Sequence, residues 1–87
     1  DFWEEDGSGD RMKDKELIGA TVELLQDIRT IGGDVFKKGD HMKIYGAWRG
    51  RFQLHALTPT GRVRVRRGCA PGVRQVDRRK FIVIRSG

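Results

Sequence analysis

With 87 residues the chain holds one small domain and no second core. Apolar residues make up 37% and charged residues 34%, enough for one compact unit with a strongly charged surface. Its apolar runs are all shorter than a membrane span of roughly 18 residues and none forms a signal peptide, while the lone cysteine, Cys69, excludes an internal disulfide.

Residues 1 to 16, DFWEEDGSGDRMKDKE, read as a flexible acidic arm: they lack an apolar period, contain a GSG spacer and carry seven acids against three bases. Residues 17 to 87 carry five acids against fifteen bases, so an acidic arm is joined to a strongly basic body and can compete with any external anion for it. DFWEED sets two aromatics among acids, the composition of a peptide ligand tethered through GSGD to its own binding domain. That reading takes Met12 as a start with the preceding residues appended, and the plainer alternative for those residues is an appended tag or a disordered linker.

From Leu17 onward, short runs rich in valine, isoleucine, leucine and aromatics alternate with glycine, proline or aspartate about every ten residues. That spacing predicts a small all-β barrel or sandwich, with strands over 21–26, 41–48, 52–57, 62–67 and 81–84. A long excursion, DIRTIGGDVFKKGD, separates the first two strands, with glycines for positive φ and a KKGD turn. Residues 68–76, GCAPGVRQV, form a second irregular stretch, and DRRK holds one helical turn capped by Asp77.

Strand alternation then assigns faces. A corner at Arg49, Gly50 and Arg51 sets Trp48 opposite Phe52, Gly46 opposite Leu54 and Ile44 opposite Ala56, with the large apolar side chains on one face. A TPTG corner sets Leu57 opposite Arg62, Ala56 opposite Val63, His55 opposite Arg64, Leu54 opposite Val65 and Gln53 opposite Arg66, so both valines join the core. The outer face is expected to carry three rows: Lys43, Leu57 and Arg62; Tyr45, His55 and Arg64; Ala47, Gln53 and Arg66.

The layout of residues 18 to 85 resembles the SH3-like barrel superfamily: a first strand TVELL, a long loop in the RT-loop position, three meandering strands, a helical turn DRRK and a last strand FIVI. The resemblance implies a five-stranded SH3-like barrel with a short helical turn before the last strand and a disordered N-terminal arm. It departs from the polyproline-binding signalling branch, since VELLQDI stands where an ALYDY-type segment would be, no tryptophan pair opens the third strand and the long loop is charge-balanced. Tudor-like readers, KOW-type modules and small DNA or RNA binders are the branches that the layout implies. Residues 32–54, GGDVFKKGDHMKIYGAWRGRFQL, are also similar to small bacterial and phage proteins with a GG..F..G and W.G.F.L layout, to which no activity attaches.

The residues point to a non-enzymatic binding module for an anionic partner, nucleic acid first. Lys43, Arg51, Arg62, Arg64, Arg66 and Arg67 can neutralise phosphates, and Tyr45 beside His55 offers a ring for base stacking. Arg74, Arg78 and Arg79 around Asp77 are either a second anion site or an ion-paired turn, with the turn favoured for Asp77. The alternative partner is an acidic, aromatic-containing protein segment, DFWEED itself included, held in a groove of Phe36, Tyr45 and Trp48. Trp48 alone reads more simply as a core residue at a barrel corner. Catalysis finds no support: the serines Ser8 and Ser86 lie near the termini, no carboxylates pair on a face, and Cys69 is a lone loop cysteine beside Arg67. His41 and His55 lack zinc-ligand spacing, so neither metal nor other cofactor is expected, and neither is a membrane. A cytoplasmic or other reducing compartment fits the cysteine usage. The oligomeric state is left open, because a small barrel with an exposed strand edge can pair or accept a strand.

Overall fold

A computed structural model of the chain describes residues 14–86, and the DFWEED segment lies outside them. The described chain is mostly β: β1 (Thr21–Leu24), β2 (Ile28–Arg29), β3 (Val35–Phe36), β4 (His41–Trp48), β5 (Arg51–Ala56), β6 (Gly72–Asp77) and β7 (Phe81–Arg85). Two single turns of 3-10 helix, Asp14–Leu17 and Arg78–Lys80, complete it. β6, β5, β4, β1 and β7 lie side by side in one antiparallel sheet, and β2 with β3 makes a separate two-stranded ribbon inside the expected long excursion. The sheet does not close into a barrel; β6 and β7 are its two edges.

The core lies on one face of the sheet, where Val22, Leu24, Met42, Ile44, Phe52, Leu54 and Phe81 are almost wholly buried. Phe36 and Ile28 from the ribbon and Leu17 from the first helical turn close over it. Phe52 and Phe81 meet edge to face at 5.4 Å between ring centres, the arrangement that the ring quadrupoles favour. The folded unit begins earlier than expected. Asp14, Lys15 and Glu16, read above as part of the arm, form a helical turn whose Leu17 is buried and whose Asp14 Oδ2 accepts the Gly50 N–H at 2.9 Å.

The β4–β5 corner departs from the expected register. The corner is a two-residue turn, Arg49 and Gly50, both at positive φ (50° and 77°), which matches the twist of the flanking strands. Trp48 therefore pairs with Arg51, Ala47 with Phe52 and Gly46 with Gln53, while Ile44 pairs with Leu54, which leaves Tyr45 as a bulge. The extra residue inverts the alternation beyond it. Met42 and Ile44 face the core before the bulge and Ala47 packs on it after, so Trp48 turns outward and is 64% exposed instead of buried at a corner.

The fourth strand is also not where alternation put it. Residues 62–67 make only two isolated bridges, Leu57 to Val63 and Arg66 to Cys69, and β6 takes the place beside β5. Val73 stands opposite Leu54, the position expected for Val65, and Val65 is 68% exposed. In GVRQVD the two valines are three apart, which a regular strand would send to opposite faces. Gln75, at φ 60°, breaks the alternation, and both Val73 and Val76 are buried. Its N–H donates to Gln53 Oε1 at 2.8 Å, which holds the irregularity in place. DRRK behaves as expected: Asp77 caps the Arg78–Lys80 turn by accepting from the Arg79 N–H.

Candidate nucleic-acid interface

The arginine-rich excursion between β5 and β6 is a folded double turn. In the first turn Thr58 accepts the Gly61 N–H through its carbonyl at 2.9 Å and donates its own N–H to the Arg62 carbonyl at 2.7 Å. Its hydroxyl lies 3.0 Å from that of Thr60 and takes the Arg62 N–H at 3.2 Å. The second turn is Arg67 and Gly68, both at positive φ, closed by reciprocal backbone hydrogen bonds between Arg66 and Cys69. Arg64 donates its N–H to the Ala56 carbonyl, and Pro71 accepts from the Ala56 N–H, so both arms of the excursion hang on one residue of β5.

Arg62, Arg64, Arg66 and Arg67 are all exposed, and none is ion-paired with an acid among the described residues. The absence of acids extends beyond the excursion. From His41 through Val76 the sequence has no aspartate or glutamate against eight lysines and arginines. These residues build β4, β5 and all of β6 but its last residue, so three neighbouring strands carry positive charge with a single acid, Asp77, at their end. The body's acids lie outside residues 41–76. Glu23 of β1 meets His41 at 3.3 Å, Asp27 meets Lys37 at 3.8 Å, and Asp77 meets Arg51 at 2.7 Å and Arg79 at 3.2 Å.

The expected rows are assembled in part. Tyr45 and His55 stack, with ring centres 3.7 Å apart and planes 11° from parallel, and Lys43 is paired with His55 across the strands. Arg64 does not join them in a row. Its guanidinium reaches the Leu57 carbonyl at 3.4 Å and lines a cleft of about 480 Å³ together with Phe36, Met42, Leu57, Ile84 and Arg85, which neither Tyr45 nor His55 lines. Leu57, expected outside, is 7% exposed because the excursion folds over it. Gln53 is on the outer face, its carbonyl oxygen engaged by Gln75, and Arg66 belongs to the second turn. Lys43, half-buried, Tyr45 and Trp48 share the outer face of β4.

The groove of Phe36, Tyr45 and Trp48 is not formed: Phe36 is buried beneath the cleft, while the other two rings stand on the outer face of the sheet. Arg51 is engaged with Asp77. Around Asp77 the ion-paired turn is found, since Arg79 donates to it from backbone and side chain. Those bonds, with the Arg79 charge and the Arg51 guanidinium, lower the Asp77 pKa to about 2. Arg78 lies over the Phe81 ring at 5.1 Å and donates to the Phe81 carbonyl, which leaves only Arg74 of the three unengaged among the described residues. Trp48 on the outer face is the feature that sequence reasoning missed. A Gly-Ala pair before the tryptophan in a strand is the one local hint of an irregular register there.

Among the described residues no cluster of histidine, cysteine, aspartate or glutamate could hold a metal ion, and no helix is long and apolar enough to cross a membrane. Comparison with protein-family models, with curated proteins and with solved structures found no match to this chain.

Proposed function

We propose that the chain is an SH3-like, non-enzymatic module that binds nucleic acid through β4, β5, β6 and the excursion between β5 and β6. The SH3-like reading is supported by the order of elements: a long excursion holding a ribbon after the first strand, three neighbouring strands in succession, a helical turn, and a last strand beside the first. The observation that carries the function is the stretch from His41 through Val76, eight lysines and arginines without an acid, with Arg62, Arg64, Arg66 and Arg67 unpaired among the described residues. Folding alone does not call for four arginines here, because the excursion is closed by backbone and threonine hydrogen bonds in which only one guanidinium takes part. Each cation brought to a phosphate releases counterions, and log K then falls with log salt by about 0.9 per contact on a duplex.

Fluorescence anisotropy with single- and double-stranded DNA and RNA, titrated from low to high salt, tests the reading. Retention at low salt with a slope of about three to five is expected. Substitution of Arg64→Glu with Arg66→Glu should remove most of the affinity and leave the circular dichroism spectrum unchanged. Lack of binding to any of the four nucleic acids at low salt sinks the reading.

A second reading is favoured by the cleft. Its lining sets Phe36, Leu57 and Ile84 beside Arg64 and Arg85, against one acid, Asp40, and suits an acidic segment carrying aromatic rings, the composition of DFWEED. Removing residues 1 to 11 separates the two. It should tighten nucleic-acid binding where the arm competes for the basic surface, and lower the melting temperature where the arm fills the cleft.

A further inference from the structure

We infer that Trp48, assisted by Tyr45, stacks on unpaired bases, which makes single-stranded nucleic acid the ligand class of this surface; the inference rests on the nucleic-acid reading above. The bulge at Tyr45 is its first ground. One extra residue in β4 brings Trp48, 64% exposed, to the outer face that Tyr45, 40% exposed, already occupies, where regular alternation would have buried the tryptophan. An indole left in water contributes nothing to the core, and bulges that re-aim a side chain are concentrated at functional sites.

The second ground is the rigidity of the turn that carries it. Arg49 and Gly50 are both in the left-handed region, and Asp14 Oδ2 takes the Gly50 N–H at 2.9 Å. The Arg49 guanidinium lies 5.4 Å from the centre of the Trp48 ring, so a cation that can reach a phosphate is already joined to a ring that can meet a base. Tyr45 is similarly braced by His55, which stacks on it at 3.7 Å. The third ground is charge: both rings belong to the stretch from His41 through Val76, which holds eight lysines and arginines and no acid, so a polyanion is attracted there.

Stacking on a flat aromatic requires a base whose face is free, which a duplex does not offer. The arginines therefore serve any phosphate backbone, and the two rings supply the preference for single strands. An alanine at position 48 is expected to weaken single-strand binding about 5- to 100-fold and to leave the salt slope as it was, because the lost contact is uncharged.

The full chain carrying Trp3→Phe, so that Trp48 alone emits, would be titrated with a mixed-sequence single strand, the matching duplex, and heparin as a polyanion without bases. The expected result is quenching of Trp48 by the single strand and not by heparin. Trp48→Ala should lower single-strand affinity by at least about fivefold with duplex and heparin affinities unchanged, and Trp48→Phe should restore part of the loss. Equal single-strand binding by Trp48→Ala overturns the inference and leaves nucleic-acid binding standing, as does equal quenching by heparin. Absence of binding to both strand forms at low salt, with heparin still bound, overturns both.

Discussion

Arg51 Nη1 stands 2.7 Å from Asp77 Oδ2, and this ion pair ties β5 to the last residue of β6 where the Arg78–Lys80 turn begins. Asp77 also accepts the backbone N–H of Arg79, the largest cause of its low pKa of about 2, with the Arg79 side chain second. A carboxylate whose pKa is lowered by folding binds fewer protons in the folded chain than in the unfolded one. Its contribution to stability is therefore complete above its ordinary pKa of 3.8 and is lost as the pH falls from there through about 2. Chemical denaturation from pH 5 to pH 2 should show the stability of the parent protein falling more steeply than that of Asp77→Asn. The variant should be less stable at neutral pH and approach the parent at pH 2. Parallel curves would mean that the carboxylate is not linked to folding.

Arg49 and Arg67 occupy the same kind of position, the first residue of a two-residue turn, at φ 50° and 52°. Asparagine or glycine adopts that conformation at lower cost than arginine, by about 0.5–1 kcal/mol. Arg67→Asn should therefore raise stability by about 0.5 kcal/mol, measured in urea. Arg49→Asn should change it little, because the cation over Trp48 contributes about as much as the turn would gain. If both arginines contact phosphate, each substitution also lowers the salt slope by about 0.9 while weakening binding. A variant that is more stable and yet binds less tightly would assign the arginine to the ligand rather than to the fold.

The exchange of strands between residues 62–67 and β6 makes its own prediction. Val76 is 3% exposed and Val65 68%, although alternation in TGRVRVRR had assigned Val65 to the core. Val76→Ala should cost about 2 kcal/mol, two methyl groups plus the space they leave. Val65→Ala should stay within about 0.5 kcal/mol of the parent. Urea denaturation of the two variants checks it, and the reverse order of costs would restore Val65 to the sheet.

What was legible in the sequence was set by regular patterns. β4 was found residue for residue from its alternation, and β1, β5 and β7 to within one or two residues at each end, because apolar periodicity between turn signals is a local property. The Asp77 cap was legible for the same reason. The illegible parts are three irregularities: the bulge at Tyr45, the left-handed Gln75, and the turn of Arg67 and Gly68. The first two depend on contacts from other strands, such as the Gln53 side chain that holds Gln75, while the third is closed by the reciprocal bonds of Arg66 and Cys69; tyrosine, glutamine and arginine do not signal positive φ or a bulge by themselves. The candidate site inherits the same division. Tyr45 beside His55 and the exposed arginines could be foreseen from the outer-face pattern, whereas Trp48 on that face and Arg64 at the cleft follow from irregularities that no alternation rule contains.

Gly72 opens β6 against the carbonyl of Leu54, so close that a β-carbon on it would collide with that backbone oxygen and press on the His55 ring. Backbone cannot swing aside as a side chain can, and Gly72→Ala should cost about 2 kcal/mol or more. Gly46 differs, since a β-carbon there meets the flexible side chain of Gln53 at 3.2 Å. Moving Gln53 would threaten the bond by which its Oε1 holds the Gln75 N–H, which is worth about 1 kcal/mol, so Gly46→Ala should cost about that amount. The two glycines can be ordered by their melting temperatures. A Gly72→Ala variant as stable as the parent would mean that β6 stands off from β5 at Leu54, and the basic surface that the two strands share would then be split between them.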